Sequence, residues 1–141
     1  MGRPKKYNTE EERKAARKEW NKRWREANAV KVKEYQKRWI AEYRNTPMGR
    51  AIHLVSCYKR NDKKYNRGEC TLTPKWVVDN IFNKPCHYNC GETDWTKLGC
   101  DRIDNSKPHT PDNVVPCCEE CNKKRGTMNY EEFLMSLSGI N

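Results

Sequence analysis

Charged and polar residues fill most of the first 45 positions, and aromatic residues recur among them at helical spacing. Thr9 and Glu12 have the spacing of a capping box, which predicts a helix that begins near Glu10. The helix runs to about Arg44, either continuous or broken near Asn28. Its large aromatic residues lie four positions apart within two groups and form a stripe on a charged surface: Trp20, Trp24, Tyr35, Trp39 and Tyr43.

This aromatic stripe has three interpretations. It can pack on an apolar core, pair two copies of the chain in a homodimer, or lie against the sugars of DNA. Packing is the purely structural interpretation, whereas the other two make the stripe an interaction surface.

After residue 46 the apolar residues cluster in shorter segments separated by turn signals. Thr46-Pro47 places an N-cap before a proline, and a stop signal at Asn66-Arg67-Gly68 follows, which predicts a helix over residues 48–65. Thr73-Pro74 begins another helix, which carries the densest apolar cluster of the chain. Asn129 begins the last helix, which we expect to pack on the core.

Two short apolar segments bracket a long polar loop in the second half of the chain. Leu98 to Ile103 and Val114-Val115 flank a loop of Asn, Ser, Lys, Pro and Asp, which predicts a strand, a loop and a strand. The helix that follows carries Asn122-Lys123-Lys124-Arg125 and ends at Gly126. The predicted elements make a mixed α+β protein.

Composition limits the size of the apolar core. Leu, Ile, Val and Phe together number 19 of 141 residues, which is below the ~20% at which highly charged chains usually stay unfolded. The chain also has 8 cysteines, and an intracellular protein uses cysteine for metal more than for disulfides. We therefore expect zinc to replace part of the missing core energy.

Charge is distributed unevenly along the chain. The net charge is +10, and residues 1–50 hold 16 basic and 7 acidic side chains against 13 and 12 in residues 51–141. A positive surface attracts polyanions. Nucleic acid is the favoured partner, and acidic membrane or protein surfaces are the alternatives. The sequence therefore predicts a basic arm over residues 1–46 and a zinc-bound core over residues 47–141.

No segment has the roughly 18 consecutive apolar residues of a membrane span, and the basic start lacks the apolar stretch of a secretory signal. We expect an intracellular protein, in the cytoplasm or nucleoid or in a nucleus. The basic tip of residues 2–6 either enters an A·T-rich minor groove or is a solvated terminus or import tract. The expected DNA contacts are Arg3, Lys5, Lys6, Arg17, Lys18, Arg23, Arg25, Lys37, Arg38, Lys123, Lys124 and Arg125.

Two cysteine pairs have the spacing of zinc ligands. Cys86 and Cys90 form a knuckle with a glycine after it, and Cys118 and Cys121 follow after 27 intervening residues, where a helix begins. Cys117 competes with Cys118, and His87 with Cys86, for a place in the site. The other cysteines are expected to be small buried hydrophobes: Cys57, Cys70 and Cys100.

The segment between and after the cysteine pairs resembles the HNH endonuclease family in its zinc-stapled ββα-metal form. The resemblance rests on Asp101-Arg102-Ile103-Asp104-Asn105, then Asp112-Asn113-Val114-Val115, then Cys118-x2-Cys121-Asn122 and basic residues, and it covers roughly residues 70–135. Residues 1–46 are similar in composition to the basic extensions of phage and mobile-element members. The fold implied is a small zinc-bound ββα-metal, treble-clef-like core preceded by helices and a long basic helical arm.

The resemblance implies roles for individual residues. Asp101 and Asn122 match the two positions that bind a catalytic divalent cation, for which Mg²⁺, Mn²⁺ or another divalent ion is expected. Asn113 matches the asparagine that holds the base or its loop. Asp104 is either a second ligand of that cation or a residue that orders the loop.

The sequence departs from the family pattern at Arg102, where the best-known members have the histidine base. Arginine stays protonated and cannot take a proton at neutral pH, so Arg102 becomes either a phosphate clamp or the partner of Asp104 or Asp112 in a salt bridge. Among the three histidines, His109 in the hairpin loop is the expected base. The other departure is the Cys-x3-Cys knuckle, which has one residue more than usual.

These residues predict a metal-dependent endonuclease that hydrolyses phosphodiester bonds of double-stranded DNA. The alternative is a non-catalytic zinc module that binds nucleic acid, which the missing histidine after Asp101 favours. One site in each chain cuts one strand, so a double-strand cut requires a homodimer or two encounters.

Overall fold

The computed structural model describes residues 6–139, and the chain divides into two compact units, Met1–Glu42 and Tyr43–Asn141. Helices α1 (Glu10–Ala27) and α2 (Ala29–Arg44) lie in the first unit, apart from the last two residues of α2. Of the expected DNA contacts, Arg3 and Lys5 lie outside the described residues.

Local sequence signals account for the helices of the first unit. The Thr9 hydroxyl accepts the Glu12 N–H at 3.1 Å and the Glu12 carboxylate accepts the Thr9 N–H at 3.3 Å, which confirms the capping box. The break near Asn28 is also confirmed, because the Asn28 side chain donates to the Trp24 carbonyl at 2.8 Å, after the end of α1. No residue of α1 or α2 is buried, and the aromatic stripe is exposed.

The second unit begins with proline-initiated helices. Thr46 and Thr73 are N-caps that accept the N–H groups of Gly49 at 3.1 Å and Trp76 at 3.2 Å. The elements in chain order are α3 (Pro47–Lys64), α4 (Pro74–Val77), a π-helical turn (Val78–Phe82), β1 (Leu98–Arg102), β2 (Val114–Cys118), α5 (Glu119–Arg125) and α6 (Tyr130–Leu137). Each predicted helix and strand is therefore present, within a few residues of its expected bounds.

The strands β1 and β2 form an antiparallel pair, with Leu98 opposite Cys118 and Arg102 opposite Val114. Helix α5 follows β2 directly. The α+β class is therefore confirmed.

A small apolar core lies entirely in the second unit. It combines Val55 of α3, Ile81 and Phe82 of the π-helical turn, Leu98 of β1 and Phe133 of α6, all at most 5% exposed. The predicted packing of the last helix on the core is confirmed by Phe133. Among residues 6–139, no helix has the length and apolar content that crossing a membrane requires.

Candidate metal centre and hairpin-loop site

Four cysteine Sγ atoms lie within 4.8 Å of one another in the second unit. They belong to Cys86 and Cys90, before β1, and to Cys118 and Cys121, at the junction of β2 and α5. Tetrahedral zinc with ~2.3 Å bonds places its sulfur ligands about 3.8 Å apart, and the Sγ atoms of Cys90 and Cys118 are 3.5 Å apart. The four cysteines could therefore hold a metal ion such as zinc.

Backbone geometry brings the two pairs together. Asn89 and Gly91 have φ values of 56° and 82°, in the left-handed region that Asn and Gly adopt most easily, so the longer knuckle still turns. The Cys86 N–H donates to the Glu92 carbonyl at 2.9 Å. Cys118 is the N-cap of α5, and its Sγ accepts the Cys121 N–H at 3.4 Å. The backbone therefore directs the Sγ atoms of both cysteine pairs towards one common site.

The two residues that compete in the sequence for a place in the metal site, Cys117 and His87, are not members of this cluster. Cys117 is buried, and its Sγ donates to the Cys118 carbonyl at 3.3 Å. His87 Nε2 lies 2.7 Å from the Tyr130 hydroxyl. Within residues 6–139, the four cysteines form the one group of three or more potential His, Cys, Asp or Glu ligands with such close donor atoms.

Protonation of the thiols opposes metal binding at this centre. Burial raises the pKa of the Cys86 and Cys121 thiols, whereas the backbone N–H of Glu92 lowers the pKa of Cys90. A metal ion binds the thiolate form, so its affinity falls as pH falls.

The hairpin loop between β1 and β2 is held by two side chains from its base. The Asn113 side chain accepts the Asp104 N–H at 2.9 Å and donates to the carbonyls of Asp104 at 3.1 Å and Pro108 at 2.9 Å. Arg102 Nη1 donates to the carbonyls of Asn105 at 2.5 Å and Lys107 at 3.2 Å. Arg102 therefore binds backbone carbonyls, rather than Asp104 or Asp112, and Asn113 holds the loop as expected.

His109 is anchored at the end of this loop by a residue of α3. Its Nδ1 lies 2.9 Å and 3.0 Å from the two carboxylate oxygens of Asp62, and its backbone N–H donates to the same carboxylate at 2.8 Å. The imidazole stacks on Tyr58 with 4.1 Å between ring centroids. Asp62 is fully buried and also accepts a hydrogen bond from Arg67 at 3.2 Å.

These contacts fix the tautomer of His109. Burial alone would raise the pKa of Asp62, but hydrogen bonds from His109 hold that pKa below its usual value. The ionised carboxylate only accepts, so Nδ1 carries the proton and Nε2 has the lone pair. His109 is 6% exposed, and no hydrogen bond to its Nε2 is found among the described residues. Burial lowers the pKa of His109 below 6.5 and keeps the ring neutral at pH 7.

Asp101 already has a cationic partner. Its Oδ2 accepts hydrogen bonds from the Tyr88 hydroxyl and from Arg125 Nη1, the latter at 2.5 Å. Burial opposes the charge of Arg125, but its hydrogen bond to Asp101 and the negative charge of that carboxylate together outweigh burial and raise the pKa of the guanidinium. Arg125 therefore neutralises this carboxylate through Oδ2, where a divalent cation would have to compete with it, and no hydrogen bond to Oδ1 is found among the described residues.

Asn122, the other expected cation ligand, is exposed on α5. It lines a cavity of about 300 Å³ together with Arg50, Tyr58 and Cys100. Asp101 is not among the described residues that line this cavity. The structure therefore does not bring the two expected ligands to a common opening.

One expected DNA contact is corrected. Arg125 is 2% exposed, and its three guanidinium nitrogens donate to Asp101 and to carbonyls that include those of Arg102, Ile103 and Met128. Arg125 is therefore a core residue that holds α5 on the hairpin. The other described contacts are exposed: Lys6, Arg17, Lys18, Arg23, Arg25, Lys37, Arg38, Lys123 and Lys124.

Sequence reasoning missed the partners of the predicted residues. Asp62 is 47 positions from His109, and Tyr88 is 13 positions from Asp101. No local motif marks such pairs, since only the tertiary fold brings them together. The expectation of small buried hydrophobes holds for Cys70, while Cys57 and Cys100 are half-buried.

No protein-family model matches the chain. Over 67 residues, which is 48% of the chain, it is 34% identical to "Uncharacterized protein R423" of Acanthamoeba polyphaga mimivirus. The matched segment spans 12% of that protein's length. The name of this relative states no activity.

Proposed function

We propose that the protein is a DNA endonuclease of the HNH type that hydrolyses phosphodiester bonds, with a zinc-stapled ββα-metal, treble-clef-like core. The observation that carries this proposal is the pair of His109 and Asp62. A buried carboxylate holds one ring nitrogen at 2.9 Å, and the other ring nitrogen keeps its lone pair without a hydrogen bond from the described residues. This arrangement is typical of a histidine that acts as a general base.

In the proposed reaction, His109 Nε2 takes a proton from the water that attacks phosphorus. Asp62 stabilises the imidazolium that forms and keeps the ring oriented. Asn113 and Arg102 hold the loop that carries His109, so the base is fixed relative to the hairpin. Removing a general base typically lowers the rate by about 10²- to 10⁴-fold.

Zinc at the four cysteines has a structural role in this proposal. The ion would join the knuckle to the start of α5, in place of a larger apolar core. Four thiolate ligands complete a tetrahedral shell, so no position is left for substrate.

The basic arm supplies affinity for double-stranded DNA. The exposed lysines and arginines of α1 and α2 would neutralise backbone phosphates, so binding would weaken steeply as salt rises. The exposed aromatic stripe would then contact the sugars between those phosphates. Deletion of this arm is one of the tests described below.

A divalent cation would supply charge neutralisation at the scissile phosphate. Because Arg125 occupies the Asp101 carboxylate, we derive no step through a cation at Asp101 and Asn122. Whether the reaction requires Mg²⁺ or Mn²⁺ is instead decided by assay in the presence and absence of each ion.

The test is conversion of supercoiled DNA to nicked and linear forms by the zinc-loaded protein with Mg²⁺, Mn²⁺ or EDTA at low salt. His109→Gln, which removes the proposed base, is compared with His87→Gln, which changes an exposed histidine. We expect the wild type and His87→Gln to nick DNA, and His109→Gln to bind DNA with little or no nicking. Binding of several DNAs by the wild type with no conversion of any would contradict the proposal.

The second candidate is a non-catalytic zinc module that binds nucleic acid. The ion pair between Asp101 and Arg125 favours it, because a carboxylate already neutralised by arginine has a structural role. This candidate predicts the same DNA binding and salt dependence, and no cleavage with any divalent ion.

A further inference from the structure

The cavity beside Asn122 has a cationic lining that the general base does not use. Its walls come from α3, the residues before and at the start of β1, the end of β2 and α5, and they include Arg50, Tyr58, Lys97 and Asn122. The volume is about 300 Å³, at the small end of ligand sites. One acidic residue also lines it, Glu119, and this residue pairs with Lys123 at 2.8 Å.

The guanidinium of Arg50 is incompletely bonded. Its Nη2 donates to the Leu98 carbonyl at 3.0 Å. Its Nε is the one enclosed side-chain nitrogen or oxygen without a hydrogen-bond partner in the described part of the chain. No hydrogen bond of its Nη1 is found among residues 6–139, and the residue as a whole is half-buried. A buried donor without an acceptor is unusual and requires an explanation.

Two contacts fix the position of this arginine. The hydrogen bond to Leu98 ties it to the first residue of β1, and its guanidinium carbon lies 5.9 Å from the centre of the Phe82 ring. A guanidinium held in this way loses little side-chain entropy when it binds a ligand.

The lining favours an oxyanion. Arg50 and Lys97 are cations, of which Lys97 also pairs with Glu92 at 3.5 Å, and the Asn122 amide can donate a further hydrogen bond. Arg102, which the sequence suggested as a phosphate clamp, directs Nη1 to loop carbonyls and is not available in the same way. Phosphate is the oxyanion that a fixed arginine with open N–H groups recognises best.

We propose that this cavity binds a backbone phosphate of DNA and that Arg50 is its clamp. The inference rests on the proposed function, because it identifies where the DNA backbone lies on the second unit. A phosphate there lies against Asn122 at the start of α5, so Arg50 is a positioning residue.

The first test uses the intact zinc-loaded protein and inorganic phosphate, with NMR detection. We expect saturable shifts of the Arg50 Nε–Hε signal and of the backbone amides of Gly99 and Asn122, and none with chloride at equal ionic strength. Shifts that are equal in chloride, or that are absent from these three signals, would overturn the proposal.

The second test measures affinity for a short DNA duplex. Arg50→Lys keeps the charge and removes the guanidinium, and Arg60→Lys makes the same change at an exposed position of α3. We expect Arg50→Lys to bind about tenfold more weakly and Arg60→Lys to match the wild type. Equal affinities of the two variants would overturn the proposal.

The two proposals fail separately. If the protein binds DNA without nicking it, and Arg50→Lys still weakens phosphate and duplex binding, the phosphate site is supported and the endonuclease proposal is contradicted. If the protein nicks DNA, and Arg50→Lys binds the duplex as Arg60→Lys does, the endonuclease proposal is supported and the phosphate site is contradicted. Neither measurement requires a shortened Arg50 side chain that could prevent folding. The NMR test uses the wild type, and the duplex test uses Arg50→Lys.

Discussion

The two units of the chain are stabilised in different ways. Helices α1 and α2 have no buried residue, and they depend on the Thr9 capping box and on surface pairs such as Arg23 with Glu19. The second unit buries a small apolar core, an ion pair and a carboxylate–histidine pair beside four clustered cysteines. The groups that could bind a metal ion or take a proton therefore lie in the unit whose side chains are buried and hydrogen-bonded.

This difference also separates two tasks in the proposed function. The first unit offers exposed charge and aromatic surface, which suit a polyanion without fixing a reacting atom. The second unit fixes individual atoms, because Arg102, His109 and Asn113 each have defined hydrogen-bond partners. Changes to the second unit should therefore have the larger effects on stability, and changes to the first unit should affect DNA binding.

The largest effect is expected from loss of the metal ion. Structural zinc contributes roughly 10 kcal/mol or more in small domains, so a strong chelator should unfold the second unit and leave α1 and α2 helical. The signals are near-ultraviolet circular dichroism for the second unit and residual far-ultraviolet signal for the helices. Cys118→Ser should reproduce the loss, and Cys57→Ser should not. If the second unit stays folded without metal, the claim that a metal ion stabilises this unit is contradicted.

Breaking the buried ion pair should have the next largest effect. Arg125→Met leaves the Asp101 carboxylate buried without its cation, and such changes cost about 3–5 kcal/mol of unfolding free energy. Lys123→Met removes an exposed charge from the same helix and should change stability little. Urea unfolding of both variants checks this expectation, and similar midpoints for the two would contradict it.

Deletion of residues 1–42 should weaken DNA binding without destabilising the second unit. All members of the apolar core come after Glu42, so the urea midpoint should not change. Loss of several phosphate contacts should lower affinity by about 10- to 100-fold at moderate salt and reduce the slope of affinity against salt. Undiminished affinity in the shortened protein would show that the arm is not the binding surface.

The smallest effect is expected from the capping box. Thr9→Ala removes a hydrogen bond at the start of α1 and should cost about 1 kcal/mol of local helix stability. Amide hydrogen exchange should become faster in the first turns of α1 and stay unchanged in α3. Thr46→Ala, at the N-cap of α3, is the matched change in the second unit.

Local signals in the sequence were sufficient to predict the secondary structure. Thr9, Thr46 and Thr73 each begin a helix, and Asn28 ends one, because capping depends on residues within three or four positions. Cysteine spacing likewise predicted the cluster of four, since two-residue and three-residue loops already bring each pair together.

The partners of the hairpin-loop residues could not be predicted in this way. Asp101 is paired with Arg125, whose neighbours Lys123 and Lys124 are exposed, and the helical run of basic residues gave no sign of this difference. His109 was identified in the loop, but its orientation depends on Asp62 of α3, which is 47 positions away in the sequence. Such pairs depend on how α3, α5 and the hairpin pack.

The most direct measurement is the rate of DNA nicking against pH for the wild type, His109→Gln and His87→Gln. Because burial lowers the pKa of His109 below 6.5, the neutral base persists as pH falls, and the wild-type rate should decline only below that value. His109→Gln should lose about 10²-fold or more of the rate, while His87→Gln, in which an exposed histidine is replaced, should follow the wild type. Equal rates for the wild type and a folded His109→Gln protein across this range would contradict the account.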